Sequence, residues 1–251
     1  MSGQDDLYEE LEKWESEGKT ATFWWRDDDA AEITPALETL LQLAASLDVP
    51  LALAVIPDLA SDDLLARLRR ESRVSLIQHG FAHVNHAPKW EKKAEFGSHR
   101  KRAVMGRELY EGAKRLRDEP GWQPVLAPPW NRIDRKLPAL LPGFGFRGLS
   151  TFTPRKSSHA APGLRQVNTH LDIINWRGGG RFAGEEEILA QAVRLLAARR
   201  RNQSDAMEAT GLLTHHLVHD QDSWDFIKHF ITLTSQHRTV KWLCVGDAFE
   251  L

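Results

Sequence analysis

The sequence predicts an α/β fold whose parallel strands close into a barrel, and three observations carry that expectation. Apolar strand-like runs alternate with segments of helical apolar spacing along the whole chain, with no convincing linker, internal repeat or low-complexity stretch. Polar, chemistry-bearing residues follow several of the strand-like runs rather than gathering at one crevice, which is how a parallel barrel presents its active face. The length of 251 residues, 41% hydrophobic and 27% charged, suffices for a substantial core in one enzyme-sized domain.

The elements follow in order. An acidic helix is expected around residues 5–17, giving an N-terminal helical extension over 1–19 ahead of a single catalytic domain over 20–251. ATFWW reads as a buried first strand, and ITPALETLLQLAASLD as a helix started by Thr34 and Pro35. PLALAVIP is the second strand, SDDLLARLRRE a helix capped by Ser61, and VSLIQHG the third strand. A long basic helix, roughly 98–118, precedes a fourth strand that PVLAPPWN ends on a double proline. FRGLSTF and part of LRQVNTHLDIINW read as strands and GEEEILAQAVRLLAARR as an amphipathic helix. GLLTHHLVHD reads as a strand ending in histidines, before a helix in WDFIKHFITLTSQ and a closing strand in VKWLCVG. Repeated β-then-α units imply right-handed crossovers between parallel strands.

Composition narrows the function. A formal net charge of -2 gives no electrostatic case for nucleic acid or an anionic membrane, and no apolar stretch approaches membrane-spanning length. The single cysteine, Cys244, forms no intrachain disulfide. The acidic start, without a basic region or apolar stretch, leads us to expect a cytoplasmic protein.

Chemistry concentrates in two clusters. RVSLIQHGFAHVNH places His79 and His83 four residues apart directly after an apolar run, and TATFWWRDDDA places Asp27, Asp28 and Asp29 after another. Imidazole with carboxylate suits Zn²⁺ or a neighbouring divalent ion, and a three-ligand site leaves a position open for water. Single histidines are most often surface or satisfied core residues, and aspartate runs are usually solvated. Three adjacent carboxylates beside Phe23, Trp24 and Trp25 are nonetheless costly to hold together, because like charges repel and burial penalises ionisation. A bound cation offsets that cost, so metal-assisted hydrolysis is the expectation.

Five segments in order carry a family resemblance: Asp-Asp after strand one, His-x-x-x-His after strand three, Pro-Pro-Trp after strand four, Asp-x-x-x-Trp later, and Leu-x-His near the C-terminus. Together, over roughly residues 20–250, they resemble the polysaccharide deacetylase (NodB-homology, carbohydrate esterase family 4-like) superfamily. The resemblance implies a distorted (β/α) barrel of about seven parallel strands and hydrolysis of N- or O-acetyl groups on sugars with one divalent metal ion, zinc being the first expectation.

Carried over by position, the resemblance makes Asp28 the general base and Asp29, His79 and His83 the metal ligands, with the register between Asp27 and Asp28 open. It makes His215 the general acid, with His216 and His219 as competitors; in an extended segment His215 and His216 face opposite ways. Pro129, Trp130, Asn131, Asp172, Trp176 and Leu213 would line the substrate pocket, with a backbone N–H near Trp130 for the oxyanion. The chain departs from the pattern at Ala30, where glycine is usual, at Asn175, where aspartate is common, and at Ala127, which replaces the arginine that normally holds the base. Arg26 or Arg132 are the candidates to supply that charge from elsewhere.

Other features have plain readings. RGGGRF (177–182) lacks the P-loop lysine and serine spacing and reads as a flexible loop rather than a phosphate cradle. The basic run KWEKKAEFGSHRKR, with Trp90 and Phe96, reads as a solvated face or loop lid, or as a grip on an acidic or sugar-like substrate. The leading expectation is therefore a metal-dependent deacetylase of an acetylated sugar or small soluble glycan, with a small-molecule or oligosaccharide partner. The alternatives are an amidohydrolase of non-peptide C–N bonds in a cyclic amide, formamide or ureide, and a non-catalytic binding domain on the same scaffold.

Overall fold

The computed structural model describes residues 3–251, so Met1 and Ser2, the first two positions of the expected N-terminal extension, lie outside the described residues. The elements in chain order are α1 (Gly3–Ser16), β1 (Ala21–Ala30), α2 (Pro35–Leu47), β2 (Leu51–Val55), α3 (Asp62–Leu68), β3 (Val74–His79), α4 (Arg102–Leu116) and β4 (Trp122–Ala127). The second half holds β5 (Gly148–Leu149), β6 (His159–Ala161), β7 (Leu164–Gln166), β8 (Leu171–Asp172), β9 (Ile174–Asn175), β10 (Arg181–Phe182), α5 (Glu185–Arg200), β11 (Thr210–Thr214), α6 (Gln221–Ser235), β12 (Val240–Trp242) and α7 (Val245–Phe249).

Strands β5, β4, β3, β2, β1, β11 and β8 lie side by side, all in parallel pairs where adjacent. The ring closes through residues 164–172. Its first half pairs with β5, with the N–H groups of Val167 and Thr169 donating to the carbonyls of Leu149 and Thr151, and its second half pairs with β11 from His170 onward. The result is a barrel of seven parallel strands, one of them this 164–172 segment; β12 pairs with the start of β1 and β6 antiparallel with β7. This is the architecture the alternating pattern predicts.

Two helix starts form where the sequence places them. Thr34 and Ser61 accept hydrogen bonds from the N–H groups of Leu37 and Leu64, satisfying donors that the first turn leaves without partners. Outward-facing strand residues such as Phe23, Trp25, Leu51, Leu53 and Val55 pack under α2, α3, α5 and α6 in the main core, which α1 joins through Leu7, Leu11 and Trp14. Inside the barrel Trp24 is matched by small or β-branched neighbours, Ala52, Ala54, Ala127, Val125 and Val167. Val245 and Phe249 of α7 plug the end where the strands begin. That helix is missing from the sequence reading, which ends on a strand; only residues 240–242 are extended there. No helix among the described residues is long and apolar enough to cross a membrane.

Candidate active site

The site forms at the opposite end of the barrel from α7, where the strands terminate. Simple alternation along β1 points Trp24, Arg26 and Asp28 inward and sends Asp27 and Asp29 outward. The pairing of β1 with β2 slips between Asp27 and Ala30, and Asp29 takes a left-handed backbone at φ 75°. This bulge turns Asp29 back, so that Asp28 and Asp29, although consecutive, line one cleft.

His79, the last residue of β3, is buried, and its Nδ1–H donates to the carbonyl of Ala127 at 3.0 Å. A carbonyl can only accept, so the bond fixes the tautomer and leaves a lone pair on Nε2. That Nε2 stands 3.1 Å from Asp29 Oδ1, and His83 Nε2 stands 3.2 Å from the same oxygen. Asp29 Oδ1 is buried without a hydrogen-bond donor. Burial by itself would raise the Asp29 pKa, but the two imidazoles pull it far below the ordinary carboxylate range; burial works against a charged His79, yet Asp28 and Asp29 raise it overall. Three electron-rich atoms in a field that favours positive charge fit one divalent cation, and a carboxylate with two neutral imidazoles is the donor set such an ion takes.

His83 reaches this point on a loop held by its neighbours. The buried Glu95 carboxylate accepts hydrogen bonds from the N–H groups of Phe81 and Ala82. Gly80 turns the chain at φ 63°, where a Cβ would lie 2.0 Å from Glu95 Oε2 and 2.5 Å from Pro129. Of the eight non-glycine residues with positive φ among the described residues, Asp29, His83, Trp130 and Asn131 are in this cleft, so backbone strain is concentrated at the site.

Asp28 is buried and bound by Arg26, itself fully buried on the same face of β1. Arg26 Nε lies 2.9 Å from Asp28 Oδ1, and Nη2 donates to Asp28 Oδ2 at 3.0 Å. The rest of the guanidinium is fixed by Asn131 Oδ1 at 2.6 Å and Ser150 Oγ at 2.7 Å. Of the two arginines considered for Asp28, Arg26 is the one that binds its carboxylate. Arg132 also lines the cleft but makes no bond to Asp28; it donates to the backbone carbonyl of Lys93. Asp27 faces away from the cleft and is wholly buried; it accepts from Thr214 Oγ1 at 2.6 Å and from the His216 ring at 2.5 Å.

The three late histidines separate by position. Strand β11 ends at Thr214, and residues 216–218 form a 3₁₀ turn rather than continuing the strand as the sequence suggests. His215, still extended, points into the cleft with Nε2 3.9 Å from Asp28 Oδ2 and its ring edge-on to Trp176 at 4.8 Å. His216 points outward to Asp27. His219 Nε2 accepts the His215 backbone N–H at 3.1 Å; burial, chiefly, lowers its pKa to about 4 and keeps it a neutral acceptor. Asp172 accepts from Trp176 Nε1 at 2.8 Å and from the Ile174 N–H at 3.0 Å, and burial leaves its pKa above the ordinary value despite the nearby His215.

The open cleft has a volume of about 650 Å³, and Asp28, Asp29, His79, His83, Trp130, Asn131, Asp172, Trp176 and His215 all line it. Leu213 and Pro129 do not. Leu213 is fully buried two residues before His215, and Pro129 is buried against Gly80. Lys93, Phe152 and Arg177 also line the cleft, and Ser150 anchors Arg26, although nothing in the sequence marks them as site residues beyond the basic character of two loops.

The barrel with its strand-end cleft has the fold of the polysaccharide deacetylases, the NodB-like fold of carbohydrate esterase family 4. A protein from Mycobacterium smegmatis assigned as a polysaccharide deacetylase superposes with a TM-score of 0.67 at 18% identity, covering 93% of this chain and 90% of that one. The chitin deacetylase from the fungal pathogen Colletotrichum lindemuthianum gives 0.56 at 16% identity, over 92% and 88%. A family 4 acetyl xylan esterase from Clostridium thermocellum, in complex with a cobalt ion, gives 0.52 at 15% identity, over 91% and 90%. No protein-family model and no curated protein sequence matches the chain.

Proposed function

We propose that this chain is a metal-dependent hydrolase that removes an acetyl group from an acetylated sugar or small soluble glycan. The observation that carries the reading is the convergence of Asp29, His79 and His83 on one point in a cleft that also presents Asp28 and His215, a carboxylate and an imidazole 3.9 Å apart. The cobalt complex of the acetyl xylan esterase supports a metal in this fold. Zinc is the ion we assign to Asp29, His79 and His83. Bound there, it supplies Lewis-acid polarisation of the acyl carbonyl and a water made more acidic.

Asp28 takes the proton of the attacking water, and Arg26 holds its carboxylate in place and in charge. The backbone N–H of Trp130 serves the developing oxyanion, since those of Asn131 and Arg132 already donate to Pro128 and Pro129. His215 delivers a proton to the departing nitrogen, which leaves poorly as an amide anion. Asp172 holds the Trp176 indole through its Nε1–H, and the indole packs edge-on to the His215 ring, so Asp172 positions the acid through Trp176. Trp130, packed against His83, and Trp176, packed against His215, offer flat faces to a sugar ring.

The test is acetate release from N-acetylated chitooligosaccharides by protein stripped with chelator and reloaded with zinc or cobalt. Metal-dependent acetate supports the proposal. Ammonia or formate from a cyclic amide or formamide, without acetate from any sugar, moves the reading to another amidohydrolase, and a protein that retains no metal and releases nothing defeats it.

A further inference from the structure

Three cationic side chains line the cleft, Lys93, Arg132 and Arg177, and none is ion-paired to a carboxylate of the described residues. The cleft's own carboxylates do not need them. Asp28 is bound by Arg26, Asp29 belongs to the cation site, and Asp172 is satisfied by two N–H donors. With Asp28 paired to Arg26, Lys93, Arg132 and Arg177 stand against Asp29 and Asp172, so the cleft keeps a surplus of one positive charge before any cation binds, although the chain as a whole carries a net charge of -2. Unpaired cations that line one concave site repel, and a ligand anion is what relieves them.

Two of the three stand together on one wall. Lys93 Nζ lies 5.9 Å from the Trp130 ring centroid, and that ring packs 4.5 Å from His83. Arg132 donates one Nη1–H to the Lys93 carbonyl at 2.8 Å, which ties the two residues together and leaves the other guanidinium donors unused. A planar guanidinium with free donors, held to the backbone of a lysine that lines the same cleft, suits an oxyanion with more than one acceptor oxygen. Arg177 follows Trp176, whose ring packs against His215, and adds to the same field.

Building on the deacetylase reading of this site, we propose that the preferred substrate is an acetylated sugar bearing an anionic substituent, a carboxylate or phosphate, which Lys93 and Arg132 hold. The acetyl group lies at Asp29, His79 and His83, the sugar ring against Trp130, and the anion beyond it on the same wall.

Calorimetric titration of the zinc-loaded protein with N-acetylglucosamine, N-acetylmuramic acid and N-acetylglucosamine 6-phosphate tests this, the latter two separating carboxylate from phosphate. At low ionic strength at least one anionic sugar should bind about tenfold more tightly than the neutral one, with the advantage shrinking as salt rises. In Lys93→Met/Arg132→Met protein that ratio should fall toward one. Equal affinities for all three sugars, no binding of either anionic sugar, or a ratio unchanged in the double variant would overturn the proposal. Acetate is measured in the same samples. A charge preference without acetate release rejects the hydrolytic reading and leaves the anion site standing, whereas acetate release without a charge preference does the reverse.

Discussion

Arg26→Met removes the guanidinium from a fully buried position and leaves the Asp28 carboxylate, whose side chain is only 3% exposed, without its counter-charge. Breaking a buried ion pair from one side costs about 3–5 kcal/mol, because the surviving charge is desolvated and unpaired. Asn131 Oδ1 and Ser150 Oγ lose a donor as well, which keeps the expected loss in the upper part of that range. For a chain of this length such a loss lowers the melting temperature by about 10 °C. Asp28→Asn alone should also destabilise, since it strands the arginine, but Arg26→Met/Asp28→Asn should cost less than the two single changes added, with a coupling of about 2 kcal/mol or more. The assay is chemical denaturation of all four proteins with metal content measured in parallel. Metal should be retained, because no Arg26 contact reaches Asp29, His79 or His83, while acetate release falls at least tenfold. Additive single effects, or Arg26→Met protein as stable and active as the parent, would refute the view that Arg26 replaces the arginine absent at position 127.

Other outcomes follow from the same geometry. His79→Ala and His83→Ala should each lower bound zinc well below one equivalent on elemental analysis, and full stoichiometry in both would remove the site. His215→Ala should cut kcat by about 10²–10⁴-fold with metal retained, and less for an ester whose leaving group needs no proton; His216→Ala should instead destabilise by about 3 kcal/mol or more in denaturation, since it strands the buried Asp27. If His216→Ala gives the kinetic defect and His215→Ala the unfolding, the acid assignment is wrong. His219 makes stability depend on acid: its folded pKa of about 4 lies below the ordinary value near 6.5, so between those values the unfolded chain binds more protons and stability falls as pH drops. His219→Gln should flatten that part of the stability curve by about 2 kcal/mol, partial exposure keeping the effect modest, and an unchanged slope between pH 6.5 and pH 4 would exclude His219 as its source.

The sequence by itself determined the parallel barrel, because strand and helix periods alternate without interruption and each apolar face needs a partner layer. Residue type and spacing marked His79 and His83, and the resemblance chose Asp29 from three consecutive aspartates; the fold brings these three together, and the alternation rule applied to residues 215 and 216 anticipated that they part to opposite sides. What tertiary structure decided is how the first strand presents its charges. Alternation alone sends Asp29 away from Asp28, and only the bulge against β2, with its left-handed backbone, brings both to one cleft. Arg26 and Arg132 were equal candidates in sequence, because which arginine reaches a carboxylate depends on the direction of a side chain inside the barrel, not on its distance along the chain. Leu213 was placed at the pocket by motif position and lies buried beneath it, since a strand residue's depth is set by where the strand ends. The surplus of positive charge in the cleft is likewise invisible in a chain of near-neutral composition. It arises because folding pairs the acidic side chains with other partners and leaves Lys93, Arg132 and Arg177 without a carboxylate partner.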